Sequence, residues 1–418
     1  MGQGNKRIVS RWVIFLGAWL SIFLLAVNAT FSVLVSNVAE QKGLTLDSLT
    51  LSYALYLLVL STVGIFAGKY ADKHGCRVIV LVGAPICGMG WILTGMSQTV
   101  LAFYLSFGIV TALGAGILYN ALLTSTLKWF PDMRGKASGL LLSSASLGPF
   151  VMAPILNAGY HEIGVNKTLL FFGFTVIIIP LAFAATQAKP PEGYKPKGWN
   201  PPDSTVKTEG TVKGQEVEDN TPGQMVRTFR FYEMLFIFMA VACAGNMMIG
   251  VLYTISTVQI ELTATAAALT VSISTIMNFI GRLSFGTIYD KIGGTKSLLV
   301  SFTLTVIALL VVSFSGPDTA AVFYFAVAVL GFAFGGPMVV FPPLTARAFG
   351  AKNLGINYGI IFFGYSLAAF VGPKVATYFY SHTGKFTMGY YAAVVLAILG
   401  AGAVLHLNST LLHRSGKQ

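Results

Sequence analysis

Apolar positions along this chain neither alternate nor keep to one helical stripe; they run on without a polar face for stretches of about twenty residues. An all-round apolar stretch of that length suits a helix crossing a bilayer, whose hydrocarbon core takes roughly 20 residues at 1.5 Å each. The first such stretch runs from Trp12 to about Val35, and others follow at 49–68, 78–97, 101–125, 137–159 and 168–187. After a polar gap they resume over 231–259, 265–288, 298–315, 320–344, 354–379 and 387–408. The pattern predicts an all-α membrane protein with twelve transmembrane helices, six on each side of the gap. The first stretch is too long for the apolar core of a signal peptide and lacks a clear small-residue cleavage site, so it is read as the first span.

The gap is different material. It holds Pro190, Pro191, Pro196, Pro201, Pro202 and Pro222 among Lys and Glu, with almost no large aliphatic residues. That composition predicts an unpacked linker. Near its end, Thr221-Pro222 followed by Met225, Val226 and Phe229 predicts a short capped helix on the membrane surface. The expected division is a six-helix bundle over 1–188, a linker over 189–229 and a second six-helix bundle over 230–418.

Charge sharpens this picture. Charged residues make up 10% of the 418 and hydrophobic ones 55%; soluble domains carry about 25% charged residues, so an ordinary soluble enzyme is excluded. The 27 Lys and Arg exceed the 15 Asp and Glu by 12. With the N-terminus inside, 22 of the basic residues fall on the cytoplasmic side, among them Lys6, Arg7, Lys207, Lys213, Arg414 and Lys417, and 4 outside; Arg282 alone lies within a span. The positive-inside rule then puts both termini and the linker in the cytoplasm of a cell-membrane protein. The basic surplus is topological, and no nucleic-acid partner is expected. Cys76, Cys87 and Cys243 are scattered and show no disulfide framework or metal spacing, so neither metal nor cofactor is expected.

Two loops match each other. Gly68-Lys69-Tyr70-Ala71-Asp72-Lys73-His74-Gly75 follows the second apolar stretch, and Gly286-Thr287-Ile288-Tyr289-Asp290-Lys291-Ile292-Gly293 follows the eighth, 218 positions later. Gly116 with Gly336, Gly135 with Gly355 and Gly139 with Gly359 recur near the same offset. Matches at one spacing on equivalent spans indicate a duplicated six-helix unit, an arrangement found among transporters.

These loops resemble the loop signature of the major facilitator superfamily, and the likeness covers the whole chain. Lys128-Trp129-Phe130-Pro131-Asp132-Met133-Arg134-Gly135-Lys136-Ala137-Ser138-Gly139 resembles a stretch of the bacterial oxalate/formate antiporters and, more loosely, the fifth-helix signature of monocarboxylate transporters. The acidic-Gly-Gly-Trp run that monocarboxylate transporters carry before the first span is missing. The resemblance implies two pseudo-symmetric bundles and alternating access. In that frame Asp72, Arg134, Asp290, Gly68 and Gly286 form a gate, Asp72 engaging the Arg134 region or the start of the eleventh helix and Asp290 a counterpart near Lys352; the alternative is a pair of solvated turns that set topology.

Arg282 carries the chemistry. It lies eight residues before Asp290, about 12 Å into the span, where a charge marks a polar cavity and a substrate path. Asn278 sits one turn earlier on the same face. A guanidinium fork beside an amide suits a planar carboxylate. The alternatives are an arginine snorkelling to the headgroups and a structural pair with Asp290. Monocarboxylate transporters resemble this helix, with an Asp where Asn278 stands; oxalate/formate antiporters add a lysine on the eleventh helix at a position that aligns with Tyr365. One cation in a low dielectric neutralises one carboxylate, so the cargo is expected to be a small monocarboxylate anion. Tyr119, Tyr365, Asn28, Asn246 and Phe332 are further wall candidates, each also explicable as helix packing. The glycines at 114–116 and 335–336 are expected to permit close helix approach. The expected function is secondary transport of lactate- or pyruvate-type monocarboxylates by a monomer in the lipid bilayer. Proton coupling follows from the resemblance, with Glu40, Glu233, Glu261 or Tyr119 as carrier, or a proton site that the substrate itself creates. Obligate anion exchange is the alternative, because an unneutralised Arg resists crossing.

Overall fold

Helices form where the apolar runs place them. The computed structural model describes residues 10–191, 194–196, 219–249 and 251–413. Within these lie twelve helices long and apolar enough to cross a bilayer. In chain order they are α1 (Arg11–Lys42), α2 (Leu51–His74), α3 (Arg77–Met96), α4 (Val100–Leu127), α5 (Arg134–Glu162), α6 (Gly164–Thr186), α7 (Phe229–Val258), α8 (Ala264–Ile292), α9 (Gly294–Ser313), α10 (Pro317–Phe349), α11 (Leu354–Thr383) and α12 (Thr387–Thr410). Most of the expected linker, with Pro201, Pro202, Lys207 and Lys213, lies outside the described residues, as do Lys6, Arg7, Arg414 and Lys417. The linker's end does form the expected short helix, Pro222–Met225, closed by a reciprocal cap between Thr221 and Gln224.

Two local features follow from residue chemistry. The first span extends beyond Val35 to Lys42, and its middle tightens into a 3-10 segment, Ala26–Thr30, which holds Asn28. At the two matching loops the helices stop on glycines in the left-handed region, Gly75 at φ +82° and Gly293 at φ +83°. Any side chain there would meet its own carbonyl, so the repeated glycine is a repeated turn.

The chain divides into two units, one of Met1–Pro131 with Val151–Lys197 and the other of Asp132–Phe150 with Gly198–Gln418. The first part of α5 thus counts with the later helices. In the first unit α2 packs on α4, and α3 on both α4 and α6. In the second α8 packs on α10, and α9 on both α10 and α12. The same pairing recurs six helices later, which is the internal repeat written in packing.

Without a hydrophobic drive between helices in lipid, close backbone approach has to supply the packing energy. The glycines serve this. A Cβ on Gly116 would lie 2.6 Å from the Leu60 carbonyl oxygen, and one on Gly335 would lie 2.6 Å from the Asn278 carbonyl oxygen. Gly281 of α8 faces the Phe332 carbonyl of α10 more tightly still. Gly281→Ala is therefore expected to destabilise the protein by about 1–3 kcal/mol, the usual cost of overpacking, lowering the midpoint of a thermal melt. Gly402→Ala is the control: nothing stands within 4 Å of its would-be Cβ, so it should leave the midpoint unchanged or raise it slightly.

Candidate functional site

Arg282 sits in α8 with its side chain turned into protein. The residue is 8% exposed, and its Nη1 donates to the main-chain carbonyl of Leu142 on α5 at 2.6 Å. One turn earlier, Asn278 accepts from the Ser146 hydroxyl at 2.7 Å, and its amide nitrogen donates to the Gly331 carbonyl at 3.4 Å. The α5 backbone reaches α8 because Gly139 faces it: a Cβ there would stand 2.5 Å from the Arg282 carbonyl oxygen. Gly331 and Gly335 admit α10 on another side of α8, against Ser274 and Asn278. Helix packing thus fixes where the guanidinium starts.

Tyr365 of α11 and Asn246 of α7 come to the same place. The phenol faces the Asn246 side chain and lies in the field of Arg282. Its ring stacks on Phe362 (5.4 Å between centroids, 18° between planes) and lies 5.6 Å from Phe238. Asn246 donates to the Ala242 carbonyl one turn back at 2.8 Å. Phe332 is half-buried, its ring 5.5 Å from Phe285. So Arg282, Asn278, Tyr365, Asn246 and Phe332 all belong to the second unit. Asn28 and Tyr119, both half-buried, belong to the first. A buried fork with an amide, a phenol and aromatic rings nearby can orient a small planar anion.

Sequence reasoning missed Leu142 and Ser146. A carbonyl carries no residue signature at all. Ser146 had one, a polar residue in an apolar run beside Ser143 and Ser144; those two hydroxyls donate back to the Leu140 and Leu141 carbonyls of their own helix, and Ser146 reaches across. Among the four expected proton carriers, Glu233 is buried at 7% exposure, with His406 Nδ1 2.6 Å from its Oε1. Glu40 and Glu261 are exposed and Tyr119 is half-buried.

The matching loops correct one expectation. Asp290 engages the N-terminus of α5, not the Lys352 region: its two oxygens accept from the Gly135 and Lys136 amides, each at 2.9 Å. The reason is physical, since the first amides of a helix lack partners within it and attract a carboxylate. Gly286 makes the approach possible, a Cβ there standing 2.6 Å from the Gly135 carbonyl oxygen, and Arg134 lies beside Tyr289. The Lys352 amide donates instead to Asp219 at the linker's end (3.0 Å), and Asn220 is held by Asn353 and Asn357. Asp72 pairs with Lys128 of its own unit at 2.6 Å, and Gly68 is buried just before it. Next to that turn, burial pushes the Cys76 thiol up to about 12, so it is inert as a nucleophile.

The sequence pattern of the Major Facilitator Superfamily matches residues 14–373 and, in a second match, 235–416. The chain belongs to the Major Facilitator Superfamily. Within the superfamily it is similar to the MFS-type transporter YhjX of Escherichia coli, 27% identical over 86% of each chain. It is also similar to the oxalate:formate antiporter of Oxalobacter formigenes, 25% identical over 90% of this chain and 88% of that one. Monocarboxylate transporter 14 of the mouse is 22% identical over 93% and 88% respectively. Among solved structures, the transporter FucP in the outward conformation overlays with a TM-score of 0.70 at 16% identity, covering 96% of this chain and 99% of its own. These relatives make the chain a multi-pass membrane transporter and not an enzyme, and the overlay gives the superfamily fold.

Proposed function

We propose that this superfamily member carries small monocarboxylates of the lactate or pyruvate type across the cytoplasmic membrane as a proton-coupled symporter. The observation that carries the proposal is the buried guanidinium of Arg282, 8% exposed within a span, with Asn278, Tyr365 and Asn246 around it. A charge in that position costs about 2.5–3.5 kcal/mol to insert and is kept where it serves a polar path. One cation matches one carboxylate, so a monoanion leaves the loaded site neutral. Relatives named as monocarboxylate transporters and as an oxalate:formate antiporter support an organic anion as cargo. Asn28 and Tyr119 would contribute from the first bundle, and Phe332 would meet the alkyl end.

The two bundles, 1–188 and 230–418, would rock about this point, with both termini and the linker in the cytoplasm, as 22 basic residues against 4 favour. Asp72, Arg134, Asp290, Gly68 and Gly286 would form the gate, the Asp290 grip on the α5 amides being made in one state and broken in the other.

Exchange is the second reading, favoured by Asn278: an amide bonded to Ser146 cannot give up a proton beside the guanidinium. Proteoliposomes separate the two. With fixed internal pH and an acidified exterior, a symporter accumulates labelled lactate without internal anion. Uptake indifferent to the pH gradient but dependent on internal anion would replace symport with exchange.

A further inference from the structure

We propose that Arg134, Arg347 and Tyr289 form a binding site for a phosphate monoester, at the end of the second unit where the loop of 286–293 lies. The site is separate from Arg282 and does not depend on what the protein carries.

The Tyr289 ring is the fixed point. It lies between the starts of two helices: a Cβ on Gly135 of α5 would stand 2.7 Å from its Cδ1, and one on Gly294 of α9 would stand 2.9 Å from its Cε2. Arg134 immediately precedes Gly135, and a Cβ on Gly293 would lie 3.4 Å from Arg347 Nη1. Both guanidiniums lie close enough to the phenol for their charges to be felt there. One comes from the first residue of α5 and the other from the last turn of α10. All three side chains are half-buried, which leaves them open to a ligand.

What they lack is an acceptor. Among the described residues neither guanidinium makes a hydrogen bond or an ion pair, and neither does the Tyr289 hydroxyl. Asp290, the next residue, spends both oxygens on the Gly135 and Lys136 amides. The helix end explains Arg347, since a cation suits a C-terminus. It does not explain Arg134, which stands at a helix start, where the partial charge is already positive. Two like charges gathered on one ring also repel each other. An anion between them removes both costs. Guanidinium forks match phosphate oxygens in pairs, the phenol can donate a further bond, and the first amides of α9, beside the same ring, have no partner within their helix. Two cations match a doubly charged group. A phosphate monoester carries nearly two charges at neutral pH, whereas a diester or a monocarboxylate carries one. All three residues stand near helix ends, so the monoester can arrive from water or on a lipid headgroup.

The test titrates the purified protein in detergent at pH 8 with two probes, inorganic phosphate and dioctanoyl phosphatidic acid, with chloride holding the ionic strength constant. The Kd is read from the rise in the thermal midpoint, which a ligand of the folded state produces by mass action. R134Q and R347Q should each raise the Kd about tenfold, the weight of one charge-assisted hydrogen bond, and Y289F about threefold. K291Q removes the same charge from an exposed position at the same end and should leave the Kd unchanged. Dioctanoyl phosphatidylglycerol, a monoanion, should bind about tenfold more weakly than phosphatidic acid. Tighter binding of phosphatidic acid than of inorganic phosphate assigns the site to a lipid, and the reverse or equality assigns it to a soluble monoester; each supports the site. The inference is overturned if neither probe shifts the midpoint, if phosphatidylglycerol binds as well as phosphatidic acid, or if K291Q weakens binding as much as the arginine variants do. Should R134Q unfold too readily to be read, R347K, which keeps the charge and loses the fork, replaces it: a rise in Kd is expected, and an unchanged Kd overturns the inference.

Discussion

Replacing Arg282 with lysine should cut carboxylate uptake about a hundredfold, although the charge is kept. The loss follows from geometry. Arginine offers a planar fork whose two parallel N–H groups meet the two carboxylate oxygens, whereas an ammonium is a compact point charge on a flexible stem. Truncating one partner of a buried charged hydrogen bond costs about 2–5 kcal/mol, roughly thirty-fold to several-thousand-fold in affinity, and the lysine should fall in the lower part of that range because Coulomb attraction survives. Folding should survive too, since a lysine at 282 can still donate to Leu142, whose carbonyl now accepts from Nη1 at 2.6 Å. The check is paired: initial uptake rates in proteoliposomes and equilibrium binding in detergent. Binding within threefold of the parent would remove Arg282 from the site.

Most of the architecture was legible because a bilayer leaves so few choices. A span must satisfy every backbone group internally, so a helix follows wherever the apolar run is long enough, and all twelve appeared. The repeat was legible for a similar reason: Gly75 and Gly293 stand at turns that only a residue free to take positive φ fills without strain. The close approach expected at the glycines of 114–116 and 335–336 is present at Gly335, which sits against the Asn278 carbonyl. The candidate site was legible only where a side chain announced itself. Arg282 stood out as a charge in an apolar run, and Asn278 as its neighbour one turn away. What escaped were main-chain partners: the Leu142 carbonyl under Arg282 and the Gly135 and Lys136 amides under Asp290. Every residue has a carbonyl and nearly every one an amide, so composition cannot mark those that pair. The Asp290 expectation went to Lys352 because a charged side chain is visible in a sequence, whereas the partial charge of a helix start is not. The local tightening of the first span over Ala26–Thr30 is likewise something that apolar periodicity does not encode.

Tyr365→Lys should convert the preference from one carboxylate to two. Tyr365 faces Asn246, lies in the field of Arg282 and stacks on Phe362 at 5.4 Å, so a lysine in its place would bring a second cation beside the first at the cost of the ring contact. Two like charges held about 4 Å apart at an effective dielectric of 20 repel by about 4 kcal/mol. The empty variant therefore carries a strain that a monocarboxylate only half relieves. A dicarboxylate such as oxalate or malonate relieves it fully, each carboxylate meeting one cation. The expected result is a crossing of affinities: lactate binds about tenfold more weakly than to the parent, and the dicarboxylate binds about tenfold more tightly, each shift corresponding to about 1.4 kcal/mol. Competition against labelled lactate in the purified protein reads both. Weakening of both ligands together would mean that the lost stacking outweighs the gained charge, and that the phenol shapes the site without setting its valence. An unchanged dicarboxylate affinity with lactate unaffected would place residue 365 away from the anion, and the argument that a single guanidinium selects a single carboxylate would then rest on Arg282 alone.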